Sequence, residues 1–239
     1  MRRRFFIKQF ENDRAVIDGD TAHHLGRVLR AEAGQLYELS DGQKVWLGRV
    51  ASVARDRVEF ALVEELPARR SAVDVKLLLA VVKFDAFEWA IEKATELGVN
   101  TIVPLAAARS EKALVAAAAK RAERWKKILV EASQQSRRVN LPILEPLART
   151  EPCFAQCKEG LKLLLSENQD APSMRTVLEG QKSSKAVIAI GPEGGWTDKE
   201  LVSADQAGFK QVSLGNLLLR TETAVIASLA NLNYVLGAK

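Results

Sequence analysis

From Val75 onward, compact runs of Val, Ile and Leu alternate with helical patterns, and no other feature constrains the fold as much. Val75–Val82, Thr101–Leu105, Leu161–Leu165, Ala186–Ile190 and Gln211–Leu214 read as strands with little of the polar alternation of a half-exposed sheet. Strands that are apolar on both faces must be covered on both faces, which means an α/β domain with a mostly parallel sheet. Phe84, Phe87, Ile91 and Ala94 recur at helical spacing between two of these runs, and Leu97-Gly98 supplies a glycine stop. Val115–Ser136 reads as a long alanine-rich helix and Thr221–Leu236 as the last one. The last helix is apolar nearly all round, through Ala224, Ile226, Leu229, Leu232 and Val235, so several of its sides need cover. A subunit interface is one way to provide it.

Before Pro67 the style differs. Arg4–Ile7, Ala15–Asp18, Leu36–Leu39, Val45–Val53 and Arg57–Val63 are short segments suited to a small β-barrel, with Asp41-Gly42 as a hairpin turn. One helix interrupts them, opening at Asp20 or Thr21 and carrying His24, Leu25, Val28 and Leu29 toward one side. The polar passage Pro67–Ser71 marks the change, which predicts domains at 1–70 and 71–239.

The apolar content of 47% against 27% charged residues is that of a folded chain. Runs such as Leu77–Val82 and Leu114–Ala119 fall far below the roughly 20 residues of a membrane span. Lys8 and Glu11 interrupt the basic start before a signal-type apolar region can form, so a cytoplasmic protein with no membrane partner is expected. Cys153 and Cys157 have neither the ligand count for zinc nor a disulfide-rich framework, and His23 and His24 lie far from them, so no metal is expected. The net charge of +5 is compatible with a polyanionic partner. Between Arg109 and Arg138, nine Lys or Arg face three acids, which suits either phosphate tracking or a solvated helix face.

Two loops carry chemistry. Ile190-Gly191-Pro192-Glu193-Gly194-Gly195 follows an apolar run, and Thr197 with Glu200 forms a capping box behind it. Glycines let the backbone approach a ligand and expose its amides, at the strand end where α/β folds place ligands, although such a loop is otherwise only a tight turn. It lacks the Gly-Lys-Ser/Thr of phosphate loops and the three-glycine dinucleotide fingerprint. Leu214-Gly215-Asn216-Leu217-Leu218-Leu219-Arg220-Thr221-Glu222-Thr223-Ala224 is the second loop, apolar and ending in a cation and hydroxyls. It suits an aromatic base held by apolar contacts, with Arg220 facing an anionic reactant; alternatively Thr221 only caps the last helix and Glu222 complements its dipole.

With these two loops in this order, the chain resembles the RsmE-type ribosomal RNA uracil-N(3) methyltransferases of the SPOUT superfamily. Supporting matches are Arg3-Arg4-Phe5-Phe6, His23-His24-Leu25 with Val28-Leu29-Arg30, Lys93–Pro104, Arg109-Ser110 and Ala132–Pro142. The resemblance implies a small N-terminal PUA-like β-barrel that binds RNA and a C-terminal SPOUT-type α/β domain, mostly parallel, with a deep trefoil knot. It implies methyl transfer from S-adenosyl-L-methionine to nitrogen 3 of a uridine in 16S ribosomal RNA, in a homodimer whose partner is the RNA or the assembled small subunit. Other readings are a SPOUT enzyme for transfer RNA or ribose, and a non-catalytic RNA-binding protein.

The cofactor pocket that the resemblance implies joins Leu165 and Ser166 to Ile190, Gly191, Glu193, Gly194 and Gly195, and to Leu214, Gly215, Leu218, Leu219 and Thr223. Arg220 would favour the uracil anion, and Glu222, Glu193, a histidine or water would take the proton. RNA contacts fall to Arg3, His24, Arg27, Arg30, Arg109, Arg137 and Arg138. The chain departs from the family at Leu217, where Arg is usual, and at Ala108 and Gln134, where Glu is common.

Overall fold

The computed structural model describes residues 3–158, 160–168 and 170–237. Two compact units divide the chain, Met1–Arg70 with Ser133–Leu141, and Ser71–Ala132 with Pro142–Lys239.

The first unit is a five-stranded mixed sheet built from β1 (Arg4–Phe6), β2 (Arg14–Asp18), β3 (Leu36–Ser40), β4 (Val45–Val53) and β5 (Arg57–Leu66), with α1 (Gly19–His23) after β2. Its strand order is β1-β3-β4-β5-β2, with β1 parallel to β3 and the remaining pairs antiparallel. Phe5, Ile17, Leu25, Leu39, Val58 and Phe60 form its core. The Asp41 carboxylate fixes the β3–β4 turn by accepting from the amides of Gln43 and Lys44, each at 2.8 Å. Ser133–Leu141 straps onto this unit: Ser40 Oγ donates to the Val139 carbonyl at 2.6 Å, and Arg4 Nη1 to that of Arg137 at 2.5 Å. Arg4 is buried and paired with Glu38 at 2.8 Å.

The helix expected to open at Asp20 or Thr21 begins instead at Gly19, behind Asp18, and no side chain caps it. It then widens into a π-helical turn over His24–Val28. The extra residue per turn rotates the following positions, so Leu25 is buried while Val28, expected on the same side, is exposed.

The second unit contains β6 (Asp74–Ala80), α2 (Phe84–Glu96), β7 (Thr101–Ala106), α3 (Lys112–Gln135, its last residues counted with the first unit), β8 (Ile143–Leu144), β9 (Ala148–Arg149) and α4 (Thr150–Gln156). It continues with β10 (Leu161–Leu165), α5 (Met174–Leu178), β11 (Lys185–Ile190), α6 (Asp198–Gln206), β12 (Lys210–Val212) and α7 (Thr221–Leu236). Its sheet runs β12-β10-β11-β6-β7-β8, with β9 also on β7, and every pair is parallel.

Both faces of this sheet are covered, as apolar parallel strands require. Leu77 and Leu79 turn to a core shared with Phe87, Ile91, Trp125 and Leu229, while Leu78 and Ala80 turn to one shared with Phe154, Trp196 and Phe209. Gly98, at φ +93°, ends α2 in the left-handed conformation that glycine adopts at no steric cost. α7 packs mainly on α2, but Tyr234 stays 84% exposed. The free cysteines are both buried, and Cys157 Sγ donates to the Cys153 carbonyl at 3.3 Å. Among the described residues, no helix is long and apolar enough to cross a membrane, and no group of three or more His, Cys, Asp or Glu is placed to hold a metal.

Candidate functional site

Because β12, β10 and β11 are adjacent and parallel, the loops that leave their carboxyl ends meet on one edge of the sheet. They enclose a cavity of about 710 Å³, to which Leu165–Asn168, Ile190–Trp196 and Val212–Leu219 contribute, with Arg109 beside them. Hydrogen bonds fix the loops to one another. Trp196 Nε1 donates to the Leu165 carbonyl at 2.9 Å, the Ser166 amide to that of Val212 at 3.0 Å, and Thr221 Oγ1 to that of Gly191 at 3.3 Å.

The glycine loop is a turn closed by the Gly195 amide on the Pro192 carbonyl at 2.8 Å. Gly195 has φ +69°, and a Cβ on Gly191 would come within 3.0 Å of the Trp196 ring. Among the described residues, the amides of Glu193 and Gly194 find no acceptor in the chain, so the loop has donors for a ligand. Arg109, itself part of the cavity wall, donates from Nη1 to the Gly194 carbonyl at 2.7 Å.

Glu200 holds this arrangement from behind. Its buried carboxylate accepts from the Ala108 amide at 2.9 Å and Thr150 Oγ1 at 3.0 Å through one oxygen. The other oxygen accepts from the Thr197 amide at 2.9 Å and Thr197 Oγ1 at 2.8 Å, which completes the capping box of α6. One carboxylate thus joins the segment that carries Arg109, the start of α4 and the exit of the glycine loop.

The family model described as the RNA methyltransferase domain matches residues 69–233, and that of the RNA methyltransferase PUA domain matches 17–63. A ribosomal RNA small subunit methyltransferase E from Synechocystis is 34% identical over 90% of this chain and 71% of its own length. The chain belongs to the ribosomal RNA small subunit methyltransferase E family. Another family member, from Bacillus subtilis, is 30% identical over 91% of this chain and 89% of its own length. The solved structure of the Neisseria gonorrhoeae family member, described as bound to S-adenosyl methionine, superposes with a TM-score of 0.90 at 29% identity, covering 99% of this chain and 98% of its own. The two loops that carried the resemblance are therefore loops of a family member.

Of the residues expected to hold a cofactor, Leu165, Ser166, Ile190, Gly191, Glu193, Gly194, Gly195, Leu214, Gly215, Leu218 and Leu219 line the cavity. Thr223 does not: it is exposed on α7, one residue before Ala224, which faces the cavity. Neither Arg220 nor Glu222 belongs to the cavity wall. Arg220 precedes α7 between Leu219 and Thr221, which both line it, and among the described residues its side chain makes no ion pair or hydrogen bond. Thr221 is the first helical residue and not the cap, so its hydroxyl is spent on the Gly191 carbonyl.

The basic residues fall into two groups. Arg3, His24, Arg27 and Arg30 are exposed on the first unit. Arg109, expected on RNA, belongs to the cavity wall. Arg137 lies 3.6 Å from Glu38, and Arg138 Nε donates to the Asn140 carbonyl at 3.2 Å. Burial pushes the Arg138 guanidinium down to about 10, so it stays charged at neutral pH. Reading loops from glycine and leucine alone missed Trp196 and Glu167. An indole directly after Gly194-Gly195 was the available signal for the first, and nothing in the local sequence marked the second.

Proposed function

We propose that this chain methylates nitrogen 3 of a uridine in 16S ribosomal RNA, with S-adenosyl-L-methionine as donor. The observation that carries the reading is the convergence of the glycine loop and the leucine loop on one cavity of about 710 Å³ in a member of this family. That volume suits a nucleoside-sized ligand, and the mixture of leucines with open loop amides suits an aromatic base and a polar tail.

S-adenosylmethionine supplies an electrophilic methyl group. The chain's own task is to orient the reactants and manage charge. The leucine loop, through Leu214, Leu218 and Leu219, offers apolar contact to the base, while the Glu193 and Gly194 amides donate to polar groups. Arg220 favours the uracil anion, whose charge spreads over two carbonyl oxygens. Glu193 is better placed than Glu222 to accept the proton, since only Glu193 lines the cavity.

In this reading residues 1–70 bind RNA and 71–239 transfer the methyl group, the loops around the cavity are those of the SPOUT trefoil knot, and the enzyme works as a cytoplasmic homodimer. The exposure of Leu217 at 82% and Leu218 at 77%, on a loop that lines the cavity, supports cover by a second copy. Incubation with labelled S-adenosylmethionine and small subunits lacking the mark, followed by digestion to nucleosides, is expected to give labelled 3-methyluridine. Label in ribose, in transfer RNA or nowhere overturns the reading.

Two variants test its parts. Gly195→Val forces a β-branched residue into the left-handed region, and is expected to weaken donor binding at least about tenfold by calorimetry while the far-UV spectrum is kept. Unchanged affinity would remove the glycine loop from the donor site. Arg27→Ala with Arg30→Ala is expected to weaken RNA binding and flatten its log-log salt dependence by about one to two. An identical slope would return both arginines to plain surface charge.

A further inference from the structure

Arg109 and Glu167 both belong to the cavity wall, although one follows β7 and the other follows β10. Arg109 Nη1 and Glu167 Oε2 each lie 3.9 Å from the point where a Cβ on Gly195 would stand, so both lie beside this glycine and are separated by less than about 8 Å. No ion pair joins them among the described residues. Opposite charges this close, left apart by a residue without a side chain, make a slot for a group that carries both charges. An α-amino acid zwitterion is such a group, its carboxylate matching a guanidinium and its ammonium a carboxylate.

We propose that Arg109 and Glu167 recognise the amino-acid end of the methyl donor, Arg109 taking the α-carboxylate and Glu167 the α-ammonium. This rests on the reading of the cavity as the S-adenosylmethionine site. The slot sets the direction in which the donor lies: the charged tail at the glycine loop, and the base toward the leucine loop. It also selects against adenine nucleosides that lack the tail.

The test compares ligands that differ only at that end, titrated calorimetrically into the full chain. S-adenosylhomocysteine and 5′-methylthioadenosine are both neutral thioethers, and only the first has the amino-acid group. S-adenosylmethionine and its decarboxylated form differ only in the carboxylate. Glu167→Gln is expected to weaken S-adenosylhomocysteine about tenfold and leave 5′-methylthioadenosine unchanged, one charge-assisted hydrogen bond having been lost. Arg109→Gln is expected to weaken S-adenosylmethionine but not its decarboxylated form.

Equal affinity of the unmodified chain for S-adenosylhomocysteine and 5′-methylthioadenosine overturns the proposal and leaves the donor site standing. Equal weakening of all four ligands by Arg109→Gln overturns the arginine half, because the side chain then serves only the Gly194 carbonyl. If the unmodified chain binds none of the four, the reading of the cavity itself fails.

Discussion

Arg220→Ala is expected to lower the methylation rate at saturating substrate by about 10²- to 10³-fold, the range for loss of one preorganised charge-stabilising donor. Arg220 stands between two residues of the cavity wall, and its side chain has no partner among the described residues to hold it elsewhere. Fold and donor affinity are expected to be kept, since the backbone at this position already has the extended geometry of a helix N-cap without help from the side chain. The deficit is expected to shrink as pH rises. Bound uridine beside Arg220 ionises at lower pH than it does without the arginine, so the unmodified rate levels off first while the variant still gains anion. Single-turnover rates across a pH series check this. A rate near that of the unmodified chain at neutral pH, or a loss confined to RNA affinity, would make Arg220 a contact for the substrate and no more.

Glu200→Ala is expected to destabilise the second unit by about 3 kcal/mol in urea-induced unfolding. Four donors converge on a carboxylate that is 2% exposed, and its removal strands the amides of Ala108 and Thr197, each costing about 1–3 kcal/mol when unpaired. Ala108 precedes Arg109, so slack at the amide reaches the clamp on Gly194 and donor affinity is expected to fall with stability. Glu200→Gln keeps a carbonyl oxygen and is expected to recover part of both. An alanine variant as stable as the unmodified chain would show that water or a shifted hydroxyl replaces the carboxylate without cost.

Much of the second unit was legible because its signals are local. Leu161–Leu165 and Thr221–Leu236 were read with the bounds that the structure has, since a short leucine-rich run and a sixteen-residue apolar segment differ plainly in length. The short elements α4, α5, β8 and β9 were not read, because they are too brief for either period to register. Val28 was misplaced because one π-helical turn breaks a count based on 3.6 residues. At the site, residues inside the two loops were found, and Glu167 was not. Its claim comes from the neighbouring positions of β10 and β11 in the sheet, a long-range fact that no spacing along the chain encodes. The approach of Arg137 to Glu38 is a long-range fact of the same kind, invisible to spacing along the chain.

The strap Ser133–Leu141 has a consequence for the way such a protein is built. A fragment ending at Arg70 would keep every strand of the first sheet, yet the buried Arg4 guanidinium and Ser40 hydroxyl would lose carbonyl partners that arrive only after α3 has been made. On a ribosome the first unit therefore emerges early but is completed late, and during evolution it could not be traded between enzymes as a cassette without carrying those nine residues along.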